Sequence, residues 1–156
     1  MLIGVMADTH DNLPLIEQAL KELKDRGAAL LVHAGDFVAP FALKAVLAGG
    51  IPLVGVFGNN DGEREGLMKL HVDLHKEPHR FMAGGRSLVA AHGPEVLWRV
   101  LKGGDDVGIC GHTHEPLIEP GPPLVVNPGE VGGWLTGRST AAVIDLATLR
   151  AEIVEL

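Results

Sequence analysis

The chain has 156 residues, 46% of them hydrophobic and 21% charged, which is enough for a single domain over residues 1–156 with a closed apolar core. Its formal net charge of −7 makes binding to a nucleic-acid backbone unfavourable. The N-terminus has no positively charged leader, and no apolar run reaches the roughly 18–20 residues of a membrane span. The single cysteine cannot form an intrachain disulfide. We therefore expect a cytoplasmic protein without membrane contact.

The first half of the chain alternates apolar runs with helical patterns. Continuous apolar runs indicate strands buried on both faces, and apolar residues at helical spacing indicate helices. The strands are expected at residues 2–7, 28–34 and 51–57, and the helices at 15–26, 41–48 and 63–70. Asn12 is expected to cap the first helix, with Pro14 in its first turn. This order predicts a parallel sheet with right-handed crossovers.

The second half is richer in strands. We expect a hairpin, one helix, three further strands and a final hairpin. They are placed at residues 80–82 with 87–91, 95–101, 107–110, 117–119, 124–126, and 140–146 with 150–156. These strands predict a second, more antiparallel sheet that packs on the first, within an α/β fold.

Five of the predicted strands are followed directly by Asp, Asn or His. The residues are Asp8 and His10, Asp36, Asn59, His92, and His112 and His114. Because ligands of open α/β sheets bind beyond the carboxyl ends of the strands, we expect one shared site. Carboxylate, amide oxygen and imidazole suit Mn²⁺, Fe²⁺ or Zn²⁺, and the absence of cysteine disfavours a closed structural zinc site. Seven candidate ligands are enough for two ions with one bridging carboxylate.

The spacing within the two short pairs also fits a shared site. In extended backbone, residues two apart point to the same side, so Asp8 with His10, and His112 with His114, would each aim two ligands at one cluster. The glycines before Asp36, Asn59 and His112 are expected to let the chain turn sharply.

Less specific interpretations exist for several of these polar residues. Asp8, Asp36 and Asn59 could each cap a helix, although as a set they favour a site. His33 is expected to pack inside its strand rather than bind a metal. A further set of histidines, at 71, 75 and 79, repeats every four residues, but Pro78 would break a helix there, so we expect a solvated segment. Asp61 could orient a ligand or stabilise its turn.

Five short motifs follow one another along the chain. They are Asp8-X-His10, Gly35-Asp36, Gly58-Asn59-X-Asp61, His92-Gly93 and Gly111-His112-Thr113-His114. In that order they resemble the calcineurin-like metallophosphoesterases, and the last motif with the chain length resembles the small YfcE-type phosphodiesterase branch. Asn127-Pro128-Gly129 is also typical of this branch. The resemblance implies a four-layer α/β/β/α sandwich of two mixed sheets flanked by helices.

The resemblance also implies how the ligands divide and what they do. Asp8, His10 and His114 would hold one metal ion. Asn59, His92 and His112 would hold the other, with Asp36 bridging the two. A hydroxide held between the ions would attack phosphorus in line. Of the divalent ions, Mn²⁺ is favoured, and Zn²⁺, Fe²⁺ and Ni²⁺ are alternatives.

Two positions differ from many relatives. Asn60 stands where relatives place a histidine that assists the leaving group. An amide can donate a hydrogen bond to a phosphoryl oxygen but delivers no proton near neutral pH, so we expect modest activity and a preference for good leaving groups. Glu130 replaces a serine after Asn-Pro-Gly, and its charge is expected to repel an incoming phosphate.

The sequence therefore predicts a metal-dependent phosphodiesterase with a small phosphodiester substrate, in a chain that could form a homo-oligomer. The alternative is a non-catalytic metal-binding scaffold or interaction module on the same fold, as in a eukaryotic retromer subunit of related sequence whose ligand set is altered. Because all seven candidate ligands are present here, catalysis is favoured. A nuclease is disfavoured by the acidic charge.

Overall fold

A computed structural model describes residues 1–156 and contains four helices and eleven strands. The helices are α1 (Leu13–Asp25), α2 (Pro40–Ala48), α3 (Arg64–Leu70) and α4 (Pro94–Val100). The strands are β1 (Leu2–Met6), β2 (Leu30–His33), β3 (Leu53–Val56), β4 (Leu74–His75), β5 (His79–Ala83), β6 (Arg86–Ala90), β7 (Val107–Ile109), β8 (Pro116–Glu119), β9 (Leu124–Pro128), β10 (Thr140–Asp145) and β11 (Arg150–Glu155). None of the helices combines the length and apolar character that crossing a membrane requires.

The strands form two mixed sheets. The six-stranded sheet has the order β11-β10-β1-β2-β3-β4, with β1 to β4 parallel to one another and β10 antiparallel to both of its neighbours. The five-stranded sheet has the order β5-β6-β7-β9-β8, with two parallel and two antiparallel pairs. The carboxyl ends of β1, β2 and β3 therefore lie at one edge of the first sheet, and those of β6 and β7 lie at one edge of the second.

The two sheets and the helices outside them form four layers, and three apolar clusters lie between these layers. Between the sheets, Ile3 and Val5 of the first sheet pack with Leu88 and Ile109 of the second. On the outer face of the first sheet, Met6 belongs to a cluster with the buried residues of α1 and α2. A smaller cluster joins α4 to the outer face of the second sheet. Because β1 is buried on both faces, its sequence reads as a continuous apolar run. The expected α/β/β/α sandwich is confirmed.

Three expectations about individual elements were wrong. The final hairpin, β10 with β11, joins the first sheet next to β1 rather than the second sheet. Strand β4 was not expected, because it has only two residues. Asn12 occupies the N-cap position of α1 but forms no capping bond, since its side-chain amide donates to the carbonyl of Gly132 at 2.8 Å.

Candidate metal centre

The structure brings all seven predicted ligands together where the carboxyl ends of the two sheets meet. Asp8 and His10 follow β1, Asp36 follows β2, and Asn59 follows β3. His92 follows β6, and His112 and His114 follow β7. Backbone hydrogen bonds tie these loops to one another, from Asp8 to Gly35 at 3.0 Å and from Gly111 to His92 at 3.0 Å. Each sheet thus supplies part of the candidate centre.

One group consists of Asp8, His10 and His114, whose candidate ligand atoms all lie within 4.8 Å of one another. Asp8 Oδ1 is 3.7 Å from His10 Nε2 and 3.5 Å from His114 Nε2. Asp8 Oδ1 and His10 Nε2 are buried and have no hydrogen-bond partner. An orphaned buried polar atom costs about 1–3 kcal/mol, so these two atoms indicate a missing cationic partner.

The neighbouring group contains Asp8, Asp36 and His92. Asp36 Oδ2 lies between two imidazoles, 3.6 Å from His10 Nε2 and 3.5 Å from His92 Nε2. Asn59 Oδ1 and His112 Nδ1 approach the same nitrogen of His92, at 2.9 and 3.2 Å. The Asp36 carboxylate therefore adjoins both groups.

The ring orientations show that lone pairs converge on the two groups. His92 Nδ1 is 2.8 Å from the carbonyl of Ala34, and because a carbonyl only accepts, this nitrogen carries the proton. With that proton on Nδ1, the neutral tautomer of the ring has its lone pair on Nε2, which lies 2.9 Å from Asn59 Oδ1. His114 Nδ1 donates to Glu130 Oε2 at 2.9 Å, which leaves its Nε2 facing Asp8 Oδ1. Lone pairs that face one another repel unless a cation lies between them, so this donor set fits divalent metal ions.

The carboxyl groups of the centre also act on the imidazole of His10. The Asp8 carboxylate is the main influence that raises the pKa of His10, although at 3.7 Å the two groups are too far apart for a normal hydrogen bond. Burial opposes this rise, and Asp36 adds to it. The carboxyl groups of Asp8 and Asp36 are themselves buried, where the interaction of each with a nearby cation is screened less than at the surface.

The backbone of the centre is unusually strained. Seven of the eight non-glycine residues with positive φ lie in these loops, and they are Asp8, His10, Asp11, Asp36, Val38, His112 and His114. Left-handed backbone costs about 1–3 kcal/mol per such residue, and Val38, a β-branched residue at φ 79°, is an extreme case. The paired ligands are therefore aimed by left-handed turns, and the expected extended backbone was wrong.

Three glycines make room for the candidate ligands, and at Gly111, which lies outside the left-handed region, a Cβ would lie 2.8 Å from Asp8 Oδ2. Gly35 has φ 99°, and a Cβ there would lie 2.7 Å from His92 Nδ1. Gly58 lies outside the left-handed region, but a Cβ on it would overlap the Asp36 carboxylate. Only Gly35 therefore acts through the sharp turn expected from the sequence, whereas Gly58 provides space.

Asp61 holds the loops that carry Asp36 and Asn59. Its Oδ2 accepts from the backbone N–H groups of Asp36 at 3.0 Å and Gly58 at 2.7 Å, and its Oδ1 accepts from Val38 at 2.8 Å. Burial raises the pKa of Asp61 despite these hydrogen bonds, which act in the opposite direction. Both interpretations of Asp61 from the sequence therefore hold, because it stabilises the turn and orients a candidate ligand.

His33 is fully buried, as expected, and it holds the backbone of the Gly35-Asp36 loop through hydrogen bonds. The Gly35 N–H donates to His33 Nδ1 at 3.2 Å, so Nδ1 is unprotonated and Nε2 donates to Thr9 Oγ1 at 3.2 Å. Thr9 in turn donates to the carbonyl of Asp36 at 3.2 Å. The ring also stacks on Phe37, with centroids 3.7 Å apart.

Glu130 plays a part that the sequence did not reveal. Its carboxylate is fully buried and accepts hydrogen bonds from His114 Nδ1 and from the Trp134 and Thr136 backbone N–H groups, at 2.9, 3.0 and 2.6 Å. Burial alone would raise the pKa of Glu130, but the hydrogen bonds from Thr136 and His114 lower it. Glu130 therefore orients the His114 ring, and the expected repulsion of an incoming phosphate stays a prediction.

The side chain of Asn127, the first residue of the Asn-Pro-Gly segment, holds two neighbouring loops together. Its amide donates to the Gly111 carbonyl at 3.0 Å and to Thr113 Oγ1 at 2.9 Å, and its Oδ1 accepts from Gly129. This buried side chain pins the loop that carries His112 and His114.

Comparison with known proteins agrees with this geometry. Residues 1–149 match the calcineurin-like phosphoesterase superfamily domain. The chain belongs to this superfamily. A phosphodiesterase of Methanocaldococcus jannaschii is 37% identical over 154 residues, which cover 93% of each chain. The solved structure of an archaeal phosphodiesterase matches with a TM-score of 0.89 at 34% identity over 100% of both chains. The YfcE phosphoesterase of E. coli shares the fold, with a TM-score of 0.73 at 22% identity over 99% of this chain and 98% of its own.

A cleft of about 500 Å³ lies next to the candidate metal centre. It is lined by His10, Asp11, Val38, Asn60, His114, Trp134 and Leu135, and it contains no Lys or Arg. Trp134 is 64% exposed, and its indole N–H donates to the carbonyl of His10 at 3.1 Å. Trp134 therefore forms an apolar wall beside the candidate ligands.

Asn60 reaches the centre by a contact that the sequence did not predict. Its side-chain amide donates to Asp36 Oδ2 at 2.7 Å, and its backbone N–H donates to Asp36 Oδ1 at 2.8 Å. We expected the amide to serve a phosphoryl oxygen, but in this structure it orients the shared carboxylate.

The remaining expectations concern helix capping, Cys110, and Arg138, which lines a second cavity together with His114 of the centre. No side-chain capping bond forms at any of the four helices, so the capping interpretation of Asp8, Asp36 and Asn59 was wrong. Cys110 is buried, and burial raises the pKa of its thiol to about 12, with smaller effects from nearby carboxylates. Arg138 is an exposed residue paired with Glu155.

Proposed function

We propose that the protein is a dinuclear metal-dependent phosphodiesterase. The observation that carries this proposal is the convergence of seven oxygen and nitrogen ligands around the partnerless buried atoms of Asp8 and His10. Membership of the phosphoesterase superfamily and the similarity to an archaeal phosphodiesterase support it.

The ligands divide into two sets around a shared carboxylate. Asp8, His10 and His114 would hold the first ion, and Asn59, His92 and His112 the second. Asp36 would bridge them, since its Oδ2 lies 3.6 Å from His10 and 3.5 Å from His92. Mn²⁺ is the favoured ion, and Zn²⁺, Fe²⁺ and Ni²⁺ are alternatives. When bound, such a pair supplies an activated water for in-line attack and positive charge for the phosphoryl oxygens.

The residues around the ligands keep them in place during turnover. Glu130 holds the His114 ring in the tautomer that frees Nε2, and the Ala34 carbonyl does the same for His92. Asn60 fixes Asp36 and delivers no proton, so the leaving group must depart as a weak base. We therefore expect faster hydrolysis of esters with acidic leaving groups.

The cleft favours a diester over a monoester. A phosphate monoester carries close to two negative charges near neutral pH, whereas a diester carries one. The cleft contains no Lys or Arg to neutralise the extra charge, and Trp134 and Leu135 offer apolar surface for a second organic group. A small diester with an aromatic or apolar substituent fits these properties best.

The test is hydrolysis of bis-p-nitrophenyl phosphate and p-nitrophenyl phosphate with added Mn²⁺. We expect turnover of the diester to exceed that of the monoester and to fall at least about 10³-fold in Asp36→Asn, since both ligand sets depend on this carboxylate. Asp25→Asn, an exposed change on α1, is the matched control and should keep full activity. Equal turnover by wild type and Asp36→Asn would refute the enzyme assignment, and faster monoester hydrolysis would refute only the diester preference.

Metal analysis tests the number of ions. Protein saturated with Mn²⁺ and freed of excess metal should retain two ions at the centre. Retention of a single ion would contradict the dinuclear arrangement. Retention of two ions without turnover on any diester in a broad panel would instead favour the metal-binding scaffold.

A further inference from the structure

A second group of metal-ligating side chains lies outside the candidate centre. The ligand atoms of Asp73, His75 and His79 all lie within 4.8 Å of one another. His75 Nε2 is 2.5 Å from Asp73 Oδ1, and the rings of His75 and His79 stack with centroids 3.5 Å apart and planes 4° from parallel. These histidines are partly exposed to solvent, as expected, but His75 and His79 also contact each other. His71 stays apart and is hydrogen-bonded to the Leu53 carbonyl.

The group sits where the chain passes from one sheet to the other. His75 ends β4, the edge strand of the six-stranded sheet, and His79 begins β5, the edge strand of the five-stranded sheet. Each strand is fixed to its own sheet by backbone pairing, β4 to β3 and β5 to β6. The three side chains therefore span the junction on a backbone that is already held on both sides. Binding an ion requires only that the stacked rings of His75 and His79 turn until their nitrogens converge with the Asp73 carboxylate.

The chemistry of the group suits a borderline transition ion. Two imidazoles and one carboxylate are a common three-ligand set for zinc, with water in the remaining position. All three residues are only partly buried, so an ion can reach them from solvent.

We propose that Asp73, His75 and His79 bind one divalent transition ion, of which Zn²⁺ fits the ligand set best, at a site separate from the candidate catalytic pair. An ion there would join the edges of the two sheets through one short segment of chain.

The same segment touches the catalytic loops through separate hydrogen bonds. Glu77 Oε2 accepts from the backbone N–H groups of His92 at 2.7 Å and Gly93 at 2.9 Å. The His75 carbonyl accepts from Phe57 at 2.9 Å, just before the Gly58-Asn59 turn. An ion at this site would therefore stiffen the supports of two catalytic loops without touching substrate.

The experiment compares zinc binding by the wild-type chain and two histidine variants. His79→Asn removes one proposed ligand. His71→Asn is the matched control, because His71 belongs to the same segment but not to the group. Zinc retained after equilibration and desalting is counted per chain, and crystals grown with Zn²⁺ are examined for anomalous scattering.

We expect His79→Asn to retain one zinc ion fewer than wild type, and His71→Asn to retain the wild-type number. We also expect a zinc peak between Asp73, His75 and His79 in wild-type crystals. This difference of one ion does not depend on how many ions the catalytic centre holds or on activity. Equal zinc content in wild type and His79→Asn, or no peak at the group in zinc-saturated crystals, would overturn the proposal. The crystal measurement decides the matter even if His79→Asn does not fold.

Discussion

His33 makes the stability of the folded protein depend on pH in a way that can be calculated. Burial, assisted by the nearby His92 and His10, lowers its pKa from the usual 6.5 to about 3. The ring is held neutral by the Gly35 N–H at Nδ1 and by Thr9 at Nε2. In the unfolded chain the same imidazole titrates near its ordinary value.

The sign of the effect follows from which state binds the proton. Above pH 6.5 both states are neutral at this residue, so its full contribution to stability is present. Between pH 6.5 and 3 only the unfolded state is protonated, and the free energy of unfolding falls as the pH falls. A shift from 6.5 to about 3 corresponds to a loss of about 1.4 kcal/mol per pH unit, or about 2 kcal/mol at pH 5 and about 5 kcal/mol in total.

Urea unfolding in the presence of a chelator, at several pH values from 7.5 to about 4, measures this slope without a contribution from metal release. His33→Gln keeps a polar amide but loses the titration, so its stability should fall less steeply with acid by about 1.4 kcal/mol per pH unit. Thr9→Val is the control, since it removes a hydrogen bond but keeps the imidazole, and it should keep the wild-type slope. Parallel slopes for wild type and His33→Gln would show that His33 does not carry the linkage.

Three further changes test the candidate centre. Glu130→Gln keeps the shape but loses the negative charge and one of the two acceptor oxygens that face His114 and the Thr136 backbone. Mn²⁺ affinity, measured by titration, should therefore fall about 10–100-fold, and unchanged affinity would contradict this role. Trp134→Ala should raise KM for bis-p-nitrophenyl phosphate about 10-fold, through a lost aromatic contact of about 1–1.5 kcal/mol, with kcat nearly unchanged in steady-state assays. Chelation should lower the melting temperature. Mn²⁺ at about 100 times its Kd should raise the free energy of unfolding of wild type by about 2.7 kcal/mol, and that of Asp36→Asn by much less. An equal gain in both proteins would place the ions elsewhere.

The layers and the candidate ligands could be predicted because both depend on local patterns. Strand β1 is apolar on both faces, and its register sends Ile3 and Val5 between the sheets while Met6 faces the helices. The polar residue that ends such a run lies at the edge of the sheet whatever follows it. Asp8 and His92 could therefore be assigned to one site although they lie 84 positions apart in the sequence.

The features that could not be predicted depend on contacts between distant segments. Strand β4 is defined by backbone hydrogen bonds from Gly55 and Phe57, which leave no side-chain periodicity. Glu130 reaches His114 only because the loop after β9 folds back over the centre. The left-handed backbone of Val38 has no signal in a β-branched residue. Because Pro78 excludes a helix, the spacing of the histidines does not predict a contact between them, yet a turn between two edge strands brings His79 onto His75.

The division of the candidate ligands between two sheets has a consequence for the order of folding events. The six-stranded sheet supplies Asp8, His10, Asp36 and Asn59, and the five-stranded sheet supplies His92, His112 and His114. Neither sheet alone therefore presents either complete set. A folding intermediate in which only one sheet has formed would bind metal weakly. Tight metal uptake during refolding therefore reports the moment at which the two halves of the sandwich dock, and a rapid-mixing experiment with a metal-sensitive dye could time that event separately from the formation of helices and strands.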